Sequence, residues 1–203
     1  MSKKDKTRQF IIEQAAPLFN QKGFAGTSLH DIMEMTGLKK GGIYGNFDSK
    51  EEIAVASFEY AVQTVTEKVK LRTDQKFKSY EKLQVVINFY RNYLTNAPID
   101  GGCPILNTSI EADDTNPKLR DRVIQALDNW RGSMSGTIRK GIKNGEIKAT
   151  VNAEEFATIF IATLEGGIMM SKIYNKITPL NTVLNHLEMM IEKELILKVE
   201  RVL

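Results

Sequence analysis

The sequence predicts an all-α fold of about nine helices, and three observations carry that prediction. Apolar residues recur at three- and four-residue spacing along almost the whole chain, whereas β-branched alternation is rare. Glycine and proline are sparse and cluster between the periodic segments. Residues suited to cap helices, such as Ser28, Ser49, Asn116 and Asn152, stand immediately before those segments. With 203 residues, 42% apolar and 26% charged, the chain is long enough for one or two domains with a sizeable core.

The first helix is expected from about Asp5 to Lys22, with Ile11, Ala15, Leu18 and Phe19 on its apolar face. Pro17 lies inside it, where the missing N–H and the ring predict a kink or local widening. Gly23 is a left-handed terminator with Phe24 as its hydrophobic partner. Thr27 or Ser28 can cap a second helix, Ser28 with Asp31 giving a capping-like pair, and this helix buries Leu29, Ile32 and Met33 and stops at Gly37. A third, short helix runs from about Lys39 to Phe47. Ser49 followed by Glu52 is a capping box, so a fourth helix starts there and reaches about Lys70.

Further helices are expected at about Tyr80–Asn96, from Pro104 to about Asp113, from Pro117 to about Gly141, from Ala153 to about Tyr174, and from Pro179 towards the C-terminus. Asn116 before Pro117 is a favourable start, because proline tolerates the first helical position.

The chemistry concentrates in residues 27–53. Two short helices joined at Gly37 have the form of a helix-turn-helix, whose second helix enters the DNA major groove. That second helix contains Gly41, Gly42 and Gly45, each costing roughly 1 kcal/mol relative to alanine in a helix. Such a helix is poorly built for its own stability, but it lets backbone N–H groups approach a phosphate closely. Ile43 and Phe47 anchor it to Leu29, Ile32 and Leu38. Lys39 and Lys40 stand at its start, Tyr44 lies one turn on, and Thr27 and Lys50 offer phosphate contacts from the flanking helices. The first sixty residues carry eight Lys/Arg and eight Asp/Glu, so the signal lies in charge placement rather than bulk basicity.

The ordered set Thr27-Ser28-Leu29, Asp31-Ile32, Thr36-Gly37-Leu38, Gly42-Ile43-Tyr44, Asn46-Phe47 and Ser49-Lys50-Glu51-Glu52-Ile53 resembles the TetR/AcrR family of transcriptional regulators. Ala15-Ala16, Leu18-Phe19 and Gly23-Phe24 extend the match, which is dense over about residues 8–55 and architectural beyond them. Gly45 departs from the pattern, since many members carry a larger side chain there. The resemblance implies a helix-turn-helix DNA-binding domain in residues 1–50 and a ligand-binding and dimerisation domain in residues 51–203. It further implies a homodimer on a double-stranded operator, most simply a repressor released by a small, partly apolar ligand. The DNA-binding set is then Thr27, Ser28, Lys39, Lys40, Gly41, Gly42, Tyr44, Asn46, Phe47 and Lys50.

In the larger part, Phe160, Leu164, Gly167 and Ile168 with Leu184, Leu187 and Ile191 form the broad apolar faces expected at a four-helix dimer interface. Phe89, Tyr90, Tyr93, Cys103, Trp130, Met134, Phe160 and Met169 are candidate lining for a ligand pocket. Cys103, before Pro104 at a helix start, also raises the alternative of a thiol-based sensor of electrophiles or oxidants. The remaining alternative is a helical enzyme or scaffold that merely carries the motif.

Other chemistry finds little support. His30 and His186 are far apart and have no metal-ligand spacing, so no metal or other cofactor is expected. No Walker-type or dinucleotide-type glycine loop is present, and no nucleophile–base pair can be assembled, so an enzyme is not expected. Glu111, Asp113 and Asp114 read as solvated turn and cap residues. No uninterrupted apolar run is long enough for a membrane span, and the single cysteine fits a reducing cytoplasm.

Overall fold

The computed structural model describes residues 2–197, and among these the fold is all-helical. Nine α-helices follow in order: α1 (Lys3–Gly26), α2 (Leu29–Thr36), α3 (Lys40–Tyr44), α4 (Lys50–Thr73), α5 (Ser79–Arg91), α6 (Pro104–Thr115), α7 (Pro117–Lys143), α8 (Ala153–Tyr174) and α9 (Thr178–Met190). A single π turn, Ile191–Leu195, follows α9. The described residues form two compact units, one holding the chain through Thr66 together with 97–127, the other holding 67–96 and the residues from Asp128 onward.

Local chemistry accounts for the helix boundaries. Ser2 and Asp5 form a reciprocal capping box, which starts α1 earlier than the apolar spacing alone suggests. Pro17 lies inside α1, yet the departure from helical dihedrals comes at Gly23 (φ 74°, ψ 177°). Ser28 and Asp31 form the second capping box, at α2. Asn116 Oδ1 accepts from Leu119 N (3.1 Å) and starts α7. Asn152 Oδ1 accepts from the amides of Glu154 and Glu155 and starts α8. The third helix is shorter than expected. It ends at Tyr44, and the Asn46 amide then donates to Gly42 O (2.8 Å), closing its last turn.

In the first unit, Ile11, Ala15 and Leu18 of α1 meet Ile32 of α2, Ile43 of α3, Phe47 of the α3–α4 connection and Ile53 of α4 in one apolar core. This core holds the small α2–α3 pair in place, because neither helix is long enough to be stable alone. In the second unit, α9 packs along α8 and against α5. Ser171 Oγ of α8 accepts from Leu180 N of α9 (2.7 Å), and Arg91 of α5 pairs with Glu188 of α9 (2.6 Å). Lys148 N donates to Leu195 O (2.9 Å), tying the π turn to the α7–α8 connection.

By length and composition alone α8 is apolar enough to cross a membrane, but half of its most apolar stretch is buried inside the protein. That is the pattern of a core helix.

Candidate nucleic-acid interface

The surface around α3 brings together part of the predicted DNA-binding set. Lys39, Lys40, Gly41, Tyr44 and Gly45 are all exposed, and Lys40 Nζ lies 5.9 Å from the centre of the Tyr44 ring. Lys39 is the N-cap of α3 and makes no side-chain cap bond, so the first amides of α3 receive no bond from it. A Cβ added at Gly41 would meet nothing within 4 Å, whereas Gly42 is half-buried beside Leu38. The result is an exposed, nearly side-chain-free peptide edge flanked by two lysines and one tyrosine. Such an edge suits phosphate, which takes hydrogen bonds from amides and attraction from the lysines.

Other members of the set are turned inward. Thr27 is 0% exposed, and its hydroxyl donates to Gly23 O (2.7 Å), so its side chain holds the end of α1 rather than a phosphate. Phe47 is 1% exposed and belongs to the core. The amide of Asn46 closes α3, and its Oδ1 is buried away from the surface. Ser28 is exposed, but its hydroxyl is engaged with Asp31. Lys50 points back: its ammonium donates to Phe24 O (2.8 Å) and Thr27 O (2.9 Å) and lies 4.2 Å from the centre of the Phe24 ring. Two of its three donors are thus used within the protein.

Arg8 of α1 is a structural anchor. Its guanidinium donates to Asn46 O (2.5 Å), pairs with Glu52 (2.7 Å) and stacks 4.0 Å from the Phe47 ring centre. The amide of Asp48 and the Arg8 guanidinium together hold the Glu52 carboxyl below its ordinary range. Lys22 of α1 bonds Asp31 (2.6 Å), and that bond, with those from Ser28, holds the Asp31 carboxyl far below its ordinary range. These contacts fix α2 and α3 without consuming Lys39 or Lys40.

The predicted ligand and dimer residues also separate. Tyr90 packs against Phe89 edge-to-face (5.2 Å) and against Tyr93 (4.8 Å), and stacks with Trp130 (6.3 Å). Met134 and Phe160 are buried in the same unit. Met169 does not join them, because it is 44% exposed on the outer side of α8. Cys103 belongs to the other unit, where it is the buried N-cap of α6. The seven residues expected at a dimer interface, Phe160, Leu164, Gly167, Ile168, Leu184, Leu187 and Ile191, are all buried within a single chain. Gly167 is needed there for close approach: a Cβ would fall 3.0 Å from Val183 of α9. The exposed apolar stripe on α8 is instead Ile159, Met169, Met170, Ile173 and Tyr174. A narrow cleft of about 380 Å³, including its open mouth, lies in the first unit and is lined by residues of α1, α4 and α6 such as Phe19, Phe58 and Asn107.

The arrangement of α1 to α4 matches a known one. The sequence pattern of "Bacterial regulatory proteins, tetR family" fits residues 11–56, and that of "Tetracyclin repressor-like, C-terminal domain" fits residues 79–187. The chain belongs to the TetR family. It is therefore a helix-turn-helix, DNA-binding transcriptional regulator and not an enzyme. A TetR transcriptional regulator from Chloroflexus aurantiacus superposes with a TM-score of 0.92 at 42% identity, over 97% of this chain and 100% of that one. A TetR-family regulator from Cytophaga hutchinsonii gives 0.91 at 38% identity, over 98% and 99%. The transcriptional repressor DhaR of a Mycobacterium species is 25% identical over 179 residues, 86% of each chain.

Proposed function

We propose that this TetR-family chain acts as a homodimeric repressor whose affinity for a double-stranded operator is lowered by a partly apolar small molecule. The observation that carries the reading is the α3 surface, where Lys39, Lys40, Tyr44 and the bare edge at Gly41 stand exposed on a rigidly packed helix pair. Lys39, Lys40 and the α3 amides serve the phosphates, and Tyr44 is the side chain best placed for a base edge. In this reading residues 1–50 are the DNA-binding domain and residues 51–203 carry dimerisation and ligand binding.

Dimerisation is supported by the outward stripe of α8. Ile159, Met169, Met170, Ile173 and Tyr174 follow helical spacing, with Gly166 open beside them. Two copies related by a two-fold axis would present two reading helices to two half-sites. Phe89, Tyr90, Tyr93, Trp130, Met134 and Phe160 are the aromatic-rich lining proposed for the ligand. The ligand releases DNA only to the extent that it binds the DNA-free state more tightly. The similarity to a named repressor supports the sign of the regulation. Burial of Cys103 gives the thiol-sensor alternative no accessible sulfur.

The test is selection of bound fragments from genomic DNA, followed by fluorescence anisotropy on the enriched sequence across a salt series. A steep salt dependence and a stoichiometry of one dimer per operator are expected. Absence of any enriched fragment, with equal affinity for arbitrary duplexes, would overturn the reading.

A further inference from the structure

Glu111 is not the solvated helix-end acid that its neighbours Asp113 and Asp114 are. Both of those are exposed, whereas Glu111 is half-buried and reaches across to α1. At Gly23 the backbone takes φ 74° and leaves the helical ladder. A break of this kind removes the intrahelical acceptors of the amides that follow it. The Glu111 carboxylate supplies them: Oε2 accepts from Phe24 N (2.5 Å) and Oε1 from Ala25 N (2.6 Å). Glycine suits position 23 because φ is positive there, and a Cβ would fall 2.6 Å from Oε2 and displace the carboxylate from this position. The carbonyls of the same segment are held as well, Phe24 O and Thr27 O by Lys50 and Gly23 O by the Thr27 hydroxyl. One helical turn before Glu111, Asn107 Nδ2 donates to Asn20 O (2.9 Å), which sets α6 in register along α1.

Segment 24–27 leads directly into Ser28, the N-cap of α2. The direction in which α2, and with it α3, leaves α1 is therefore set by bonds to both edges of this segment. We propose that Glu111 is a positioning residue for operator binding, acting through the Phe24 and Ala25 amides and touching no DNA. The proposal rests on the reading of α3 as the DNA-contacting helix.

The sign of its effect separates positioning from simple charge. Removing an acid from a DNA-binding protein strengthens binding when only Coulomb attraction changes. Removing a positioning acid weakens it, because fewer molecules hold the competent geometry.

Operator affinity of Glu111→Ala, Glu111→Gln and the exposed control Asp114→Asn is to be measured by fluorescence anisotropy across a salt series. Amide hydrogen exchange at Phe24 and Ala25 is read in parallel. Glu111→Ala should bind about tenfold more weakly with an unchanged salt slope, and its two amides should exchange faster. Glu111→Gln keeps a carbonyl acceptor and should recover part of the affinity, which also covers the case in which the alanine variant folds poorly. Asp114→Asn should bind as well as the parent or slightly better. Glu111 variants that bind as tightly as the parent, or more tightly, would overturn the assignment. A parent protein with no salt-sensitive operator binding would instead overturn the reading of α3 itself.

Discussion

The α2–α3 pair and the α8–α9 pair are held by different chemistry. The first is small, and its few apolar anchors, Ile32 and Ile43, are supplemented by charged bonds from α1: Lys22 to Asp31 of α2, and Arg8 to Asn46 O just after α3. The second is large and mainly apolar, with Phe160, Leu164 and Ile168 of α8 and Leu184 and Leu187 of α9 buried inside and a second apolar stripe on α8 outside. Polar bonds fix a geometry and leave the exposed face free for a polar partner. Apolar packing supplies stability, and where it continues onto the surface it calls for another apolar surface.

The largest expected effect tests which face of α8 is inside. Phe160→Ala should cost about 3–5 kcal/mol in urea unfolding, because it empties a fully buried site next to Phe156. Met169→Ala, at the surface, should change the stability of the isolated chain by no more than about 0.5 kcal/mol. Equal losses would erase the contrast between the two faces. Next in size, the double variant Met169→Glu with Ile173→Glu should remain helical by circular dichroism but sediment as a monomer. Its operator affinity should fall by about a hundredfold or more, since two tethered heads bind jointly. A dimer that survives both substitutions would place the interface elsewhere.

Smaller effects probe the head. Lys40→Ala should weaken binding to all duplexes alike and lower the salt slope by about one. Lys50→Ala should weaken operator binding with a smaller change of slope, because most of its donors serve Phe24 O and Thr27 O rather than phosphate. Identical slopes for the two variants would return Lys50 to a direct phosphate role. The smallest effect is on pH. Asp31 and Glu52 both have carboxyls lowered by folding. Their contribution is present in full above the ordinary carboxylate range and is lost as pH falls through the lowered folded values. Thermal midpoints should therefore decline below about pH 4, and Glu52→Gln should flatten that decline.

What the sequence made legible is mainly what is local. The caps at Ser28, Asn116 and Asn152 act within three residues of chain, and α8 begins and ends where its pattern predicts. The helix count, the helix-turn-helix and the exposure of Lys39, Lys40 and Tyr44 follow from the same kind of signal. Two kinds of information were not legible. Apolar residues occupy most of the circumference of α8, so periodicity identifies a helix but not its inward side, and the expected interface residues proved to be core. Partners distant in sequence leave no local trace: Glu111 and Phe24 are 87 residues apart, and Arg8 and Glu52 are 44 apart. Gly23 breaks the helix where its left-handed preference predicts, whereas Pro17 leaves the helical dihedrals around it intact.

The brevity of α3 has a consequence for the operator. Five residues, of which Gly41 and Gly42 carry no side chain, present few groups that can tell one base pair from another. In the proposed dimer, discrimination then comes largely from the duplex itself, through groove width and the ease with which particular base steps bend to bring their phosphates onto the two heads. Operators of this protein should tolerate substitution at many individual positions. They should respond more strongly to inserting or deleting a base pair between half-sites, or to replacing a flexible pyrimidine–purine step at the centre with a stiff one.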